Sequence, residues 1–131
     1  GELLEHAQVY GNWYGVPKQQ ILDALDRGQD VIAKVDIQGA ATIRKLVPQS
    51  VLIFLAPSNM EELRSRLKCR ATETGADLDR RVETAWQEMD NLTEFDYRVI
   101  NKNGALDEAV ECIDAIITAE KNRVTRCDIR I

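Results

Sequence analysis

The run Val51-Leu52-Ile53-Phe54-Leu55-Ala56 is unbroken and apolar, and Pro57 ends it. A strand with this sequence has no polar side to turn towards water. It suits a position covered on both faces, which is the environment of a parallel sheet. Parallel strands are joined by long crossovers, usually helices, and not by tight turns. The rest of the chain is therefore expected to alternate between helix and strand.

It does. Pro17 suits a first helical position, Ile21, Leu22 and Leu25 recur on one face, and Gly28 suits the residue just past a helix end. Val31-Ile32-Ala33-Lys34-Val35 reads as a strand that stops at Asp36, with a turn at Gln38-Gly39. A short helix follows, with Ile43 and Leu46 inward and Pro48 beyond its end. After the apolar run, Ser58-Asn59-Met60-Glu61 has the form of a capping box. Met60, Leu63 and Leu67 then repeat at helical spacing, and residues 70–76 break the pattern. A helix over about 77–92 carries Leu78, Val82, Ala85, Met89 and Leu92, the cleanest helical period in the chain. Tyr97 to Asn101 reads as a third strand, Lys102-Asn103-Gly104 as a turn, and a last helix carries Leu106, Val110, Ile113 and Ile117. The charged tail from Asn122 is expected to fray. Residues 1–16 show no clear period and read as extended pieces joined by turns at Gly11-Asn12 and Gly15. The expectation is an α/β domain in three layers, a parallel sheet with flanking helices and right-handed crossovers.

Composition narrows the function. The 131 residues make one domain, 44% apolar and 30% charged, which excludes collagen, coiled coil and general disorder. A net charge of −5 argues against a broad nucleic-acid surface but leaves room for a local basic pocket. No apolar stretch is long enough to span a membrane, and no signal peptide is visible. Cys69, Cys112 and Cys127 are odd in number and form no CxxC, and His6 is the lone histidine. No metal site is expected, and a reducing, cytoplasmic setting is.

Ligands of open parallel sheets bind beyond the carboxyl ends of the strands. Asp36, Pro57-Ser58 and Asn101 stand at those ends. Asp36 either caps the following helix or faces a ligand. Arg64, Arg66 and Arg70 lie on one expected helix and Arg80 and Arg81 on the next. Their planar forks either hold phosphate or form a solvated surface. Glu5 either accepts hydrogen bonds from a guanine edge or sits on the surface, and Tyr14 is either a core aromatic or a phosphate donor.

Taken in order, LLEHA, GNWYG, VDIQG, FLAPS, LRSRLKCRATET, the Arg80-Arg81 pair and FDYRVIN resemble guanylate kinases, which move a phosphoryl group from ATP to GMP. The resemblance covers almost the whole chain. It implies that Glu5 reads the N1 and N2 hydrogens of guanine, that Asp36 faces the guanine amino group, and that Tyr14 donates to the GMP phosphate. It implies that Arg66 and Arg70 are lid arginines closing on ATP phosphates, that Arg81 bridges donor and acceptor phosphates, and that Asn101 lies near the adenine side. ATP and magnesium are the implied cofactors, and GMP or another nucleotide phosphate the implied partner. Within residues 1–131 it implies a GMP-binding segment at 1–16, core at 17–69, a lid at 70–82 and core at 83–131.

The departures are equally specific. The family's first, central strand and its GxxxxGK[ST] loop are missing from these 131 residues, as are the paired arginines that grip the GMP phosphate. Lys34 stands where the family has a second aspartate, Val16 where it usually has Ser or Thr, and Lys102-Asn103 where it usually has two acids. Without a loop to hold the donor phosphates, the chain alone is expected to be inactive. Either it is part of a longer enzyme, or it is a scaffold-type module that uses the former GMP site to hold phosphorylated peptides. The strands ending at Asp36 and Ala56 lose their shared neighbour. They are expected to pair directly, to have the gap filled by a second copy in a homodimer, or to belong to a longer chain.

Overall fold

The computed structural model describes residues 3–9, 12–70, 75–125, 129 and 131, with the side chains at 5, 7–9, 12–14, 70 and 91 outside that description. The chain divides into two compact units, Gly1–Leu52 with Cys127–Ile131, and Ile53–Arg126.

In the first unit, β1 (Leu3–Val9) and β2 (Asn12–Pro17) pair antiparallel. Glu5 stands opposite Val16, His6 opposite Gly15 and Ala7 opposite Tyr14. Gly15 is thus a ladder position and not a turn: the partner strand claims its backbone, and glycine permits a turn without requiring one. Gly11, the other expected turn residue, lies outside the described residues. Helix α1 (Lys18–Asp26) begins one residue later than expected, because Pro17 keeps an extended ψ of 116° and closes β2. The fixed φ of proline fits either role, so ψ decides. The C-terminus of α1 matches expectation. Gly28 has φ 71°, its N–H donates to the Leu25 carbonyl at 2.9 Å, and the Gln29 N–H reaches the Ala24 carbonyl at 3.0 Å. These two bonds are the Schellman closure of a helix.

Residues 29–36 form no strand, which corrects the reading of 31–35. Ile32 is 78% exposed. Apolar β-branched residues fit a pleated surface, but a strand also needs a neighbour's N–H and C=O groups, and no described strand supplies them here. The direct pairing of this segment with the run at 51–56 is therefore not formed. Helix α2 (Ile37–Leu46) starts at once after Asp36, so Gln38-Gly39 is its first turn and not a separate one. Ile43 is buried as expected. Leu46 is 52% exposed, and Val47, 3% exposed, takes the inward place. Arg44 donates to the carbonyls of Pro48 and Ser50, at 3.0 and 2.9 Å, and so satisfies acceptors beyond the helix end.

In the second unit, β3 (Ile53–Ala56) and β4 (Tyr97–Ile100) pair in parallel, Ile53 with Tyr97 through Ala56 with Ile100. The parallel pairing inferred from the apolar run is present, and the α/β class stands. The run is not covered along its whole length, however: Ala56 and Val99 are each 2% exposed, but Leu55 is 51% exposed. Phe54 and Phe95 meet edge to face, 5.3 Å between ring centres. Helices α3 (Met60–Arg70) and α4 (Ala76–Glu88) pack on one another, and α4 buries Leu78 and Val82. A single 3₁₀ turn, Met89–Asn91, completes the helical stretch expected to run to 92.

Helix α5 (Leu106–Lys121) lies against β4. Ala109 is buried, whereas Leu106 and Val110 are exposed, so the inward stripe is rotated from the one the apolar spacing marks. The small side chain at 109 allows close approach to the strand. Tyr97 of β4 donates its hydroxyl to Glu120 Oε1 of α5 at 2.6 Å, a bond that raises the pKa of the phenol. Among the described residues no helix is long and apolar enough to cross a membrane.

Candidate functional site

The site is built on the turn from β3 into α3. Asn59 accepts the Glu62 N–H on Oδ1 at 2.9 Å, and its carbonyl accepts the Leu63 N–H at 3.2 Å. Asn59 is therefore the N-cap and Glu62 the third helical residue. The Glu62 carboxylate turns back, and its Oε2 accepts from Ser58 N–H at 3.0 Å and Ser58 Oγ at 2.7 Å. One half of a capping box is present, one residue later than the Ser58 to Glu61 frame: Asn59 caps the Glu62 N–H, and the Glu62 carboxylate reaches past the cap to Ser58. The third helical position faces the cap, and Glu61 at the second does not.

The other Glu62 oxygen leaves the helix. Oε1 accepts the backbone N–H of Asn103 at 2.8 Å, in the loop after β4 and 41 residues away in sequence. The Glu62 side chain is only 13% exposed. The Asn103 N–H first, then the Ser58 donors and the nearby Arg66 charge, hold its pKa down at about 2.

One turn further along α3, Arg66 grips the same loop. Its Nη2 donates to the Asn101 carbonyl, and its Nε and Nη2 donate to Asn103 Oδ1 at 3.3 and 3.0 Å. Glu62 Oε2 lies 3.6 Å from Nη2. Asn101 in turn continues the ladder, its N–H donating to the Ala56 carbonyl at 2.8 Å. Two residues expected from sequence, Arg66 and Asn101, are thus brought together. They meet at the carboxyl end of the parallel pair, where open parallel sheets hold ligands.

The remaining arginines divide. Arg64 forms an ion pair with Asp79 across α3 and α4, with both side chains more than half exposed. Such a pair adds little stability. Arg80 and Arg81 stand on α4, the first exposed and the second half-buried. Arg70 is the last residue of α3, and its side chain is outside the described residues. The same holds for the side chains of Glu5 and Tyr14, whose backbones lie two rungs apart in the β1–β2 ladder. Asp36 caps α2, its Oδ1 accepting from the Gly39 N–H at 2.7 Å. Glu5, Tyr14 and Asp36 belong to the first unit, and Arg66, Arg70, Arg81 and Asn101 to the second.

Sequence reasoning missed Glu62 and Asn103. The spacing Asn59 to Glu62 is a signal for Glu62, whereas nothing along the chain marks Asn103 as its partner. Among the described residues no three His, Cys, Asp or Glu side chains gather to hold a metal ion. Lys34 is exposed in an irregular stretch, and one Asp36 oxygen is committed to the cap. These residues do not fit the magnesium ion that the resemblance implies.

Comparison with known proteins agrees with this architecture. The guanylate kinase family model matches residues 1–120. The guanylate kinase of Clostridioides difficile is 40% identical over 126 residues, covering 96% of this chain and 60% of its own length. "Guanylate kinase 2, chloroplastic/mitochondrial" of Oryza sativa is 46% identical over 131 residues, covering 99% of this chain and 46% of its own length. The crystal structure of guanylate kinase from Anaplasma phagocytophilum superposes with a TM-score of 0.74 at 32% identity, over 96% of this chain and 60% of that one. The chain spans about 60% of the length of the bacterial relatives it matches. With a family model matched over most of its residues and relatives at this level of identity, the chain belongs to the guanylate kinase family.

Proposed function

We propose that this chain supplies the acceptor-reading and lid portion of a phosphotransferase that converts ATP and GMP to ADP and GDP. A GMP phosphate oxygen attacks the terminal phosphorus of ATP, and the bond to the leaving ADP oxygen breaks. Negative charge gathers on the moving group, and fixed cationic forks lower the energy of that arrangement. In this reading Arg66 and Arg70 meet the ATP phosphates, Arg81 bridges the two nucleotides, and Asn101 borders the adenine. Glu5 and Asp36 read guanine, and Tyr14 donates to its phosphate. The observation that carries the reading is the Arg66 guanidinium seated on the Asn101 carbonyl at the carboxyl end of β4.

Calorimetry of the purified chain with GMP tests it. GMP is expected to bind in preference to AMP, and Glu5→Gln is expected to remove that preference. Equal binding of both nucleotides would sink the guanine assignment. The 131 residues contain no GxxxxGK[ST] loop, so a coupled assay for ADP is expected to find no turnover by this chain alone.

Lys34 and Val16 favour a second reading, because each replaces a side chain that guanine or metal chemistry uses. A non-catalytic module of this family would hold a phosphorylated peptide at the former GMP site. Titration with a phosphoserine peptide separates the two: binding of the peptide without binding of GMP selects the module.

A further inference from the structure

Glu62 has no part in the reading above, yet its carboxylate joins the two segments that frame one end of the parallel pair. It accepts from Ser58 in the turn after β3 and from Asn103 in the loop after β4. Arg66, four residues on, shares its side of the helix and holds the same loop at Asn101 and Asn103. Within the loop itself, a backbone bond runs from Ala105 N–H to the Lys102 carbonyl at 3.1 Å, and Gly104 takes φ 77°. That turn gives the loop its shape. Its ties to α3 come from Glu62 and Arg66.

We propose that Glu62 is a positioning residue for the phosphoryl donor: it clamps residues 101–103 to α3 and seats Arg66 against them, so that ATP meets a preformed edge. This inference rests on the reading of Arg66 and Asn101 as the ATP side. A carboxylate suits the task because both of its oxygens accept, one for each segment. Glutamine keeps one accepting oxygen, enough for the Asn103 N–H, and its amide can donate to Ser58 Oγ, although the Ser58 N–H then loses its acceptor. Alanine keeps neither contact. Both side chains are only partly withdrawn from water, Glu62 being 13% exposed and Arg66 28%.

The test measures ATP and GMP affinity by NMR titration, with amide exchange at Asn103, for the unmutated chain, Glu62→Ala and Glu62→Gln. Glu62→Ala is expected to lose about tenfold in ATP affinity, the scale of one lost hydrogen bond to a charged group, and to keep its GMP affinity. Its Asn103 amide is expected to exchange faster. Glu62→Gln is expected to recover most of both. If Glu62→Ala fails to fold, Glu62→Asp takes its place with the same expectations, because it keeps the charge but falls one methylene short of Asn103. ATP affinity unchanged while Asn103 exchange accelerates would overturn the inference alone and leave Glu62 a purely structural clamp. The unmutated chain is expected to bind ATP weakly, since its 131 residues hold no GxxxxGK[ST] loop, and ATP added to millimolar concentration that leaves the Asn101 and Asn103 amide signals unmoved would overturn the donor-side reading, and the inference with it.

Discussion

The Glu62 carboxylate accepts the Asn103 backbone N–H at 2.8 Å, tying the first turn of α3 to a loop 41 residues further along the chain. Arg66 repeats the tie one turn later through Asn101 and Asn103. The carboxyl end of the parallel pair is thus an edge whose two sides are fixed to each other by the chain's own bonds. In the proposed function, such a fixed edge would meet the donor phosphates without rearrangement.

The clamp is expected to respond to acid. Glu62 titrates at about 2 in the folded chain against an ordinary value of 4.5, so its folded pKa is depressed. Its contribution to stability is therefore fully present above 4.5 and lost as pH falls from there towards 2. Urea unfolding of the unmutated chain and of Glu62→Gln across this range checks it. The gap between the two is expected to narrow as acid is added, and a constant gap would remove the ionised carboxylate from the account.

Arg66→Lys separates a fork from a point charge. Lysine cannot span the Asn101 carbonyl and Asn103 Oδ1 in the planar geometry that the guanidinium uses. A loss of about 1 kcal/mol in unfolding free energy is expected, the usual worth of a hydrogen bond. An unchanged urea midpoint would place the grip among interactions without energetic weight.

Asp36 carries a cap and, in the proposed function, a guanine contact. Asp36→Ala is expected to cost about 1 kcal/mol by removing the acceptor for the Gly39 N–H. Asp36→Asn can still cap, so its stability is expected to stay close to that of the unmutated chain while GMP affinity falls. Equal loss of stability in both variants would contradict the cap assignment.

Gly28 isolates a backbone effect. Nothing lies within 4 Å of the space a Cβ would occupy, yet φ is +71°. Gly28→Ala is therefore expected to destabilise by about 1 kcal/mol through conformation alone, without steric clash. A thermal melt that shows no decrease would mean that the Schellman closure tolerates an L side chain.

Much of this molecule is legible along the chain. The apolar run at 51–56 announces a parallel strand, and β3 pairs in parallel with β4. Helices α3, α4 and α5 stand where helical periodicity places them, and Gly28 marks the end of α1. The ordered motifs also identify the family. The strand and helix signals are short-range, written in a run of neighbours, in residues three or four apart or in a single permissive residue, whereas the family shows in the order of motifs along the chain.

Tertiary structure decided the rest. Val31 to Val35 has strand composition but finds no described strand to pair with, because a ladder needs a second chain segment that composition does not name. Val47 displaces Leu46 inward, and Ala109 displaces Leu106 and Val110, because the space beside a neighbouring element selects the face and not apolarity alone. Glu62 and Arg66 look like two charges on a solvated helix until the loop after β4 arrives beside them. Bonds that span 41 and 35 residues leave no period in the sequence, and only the folded backbone brings their partners within reach.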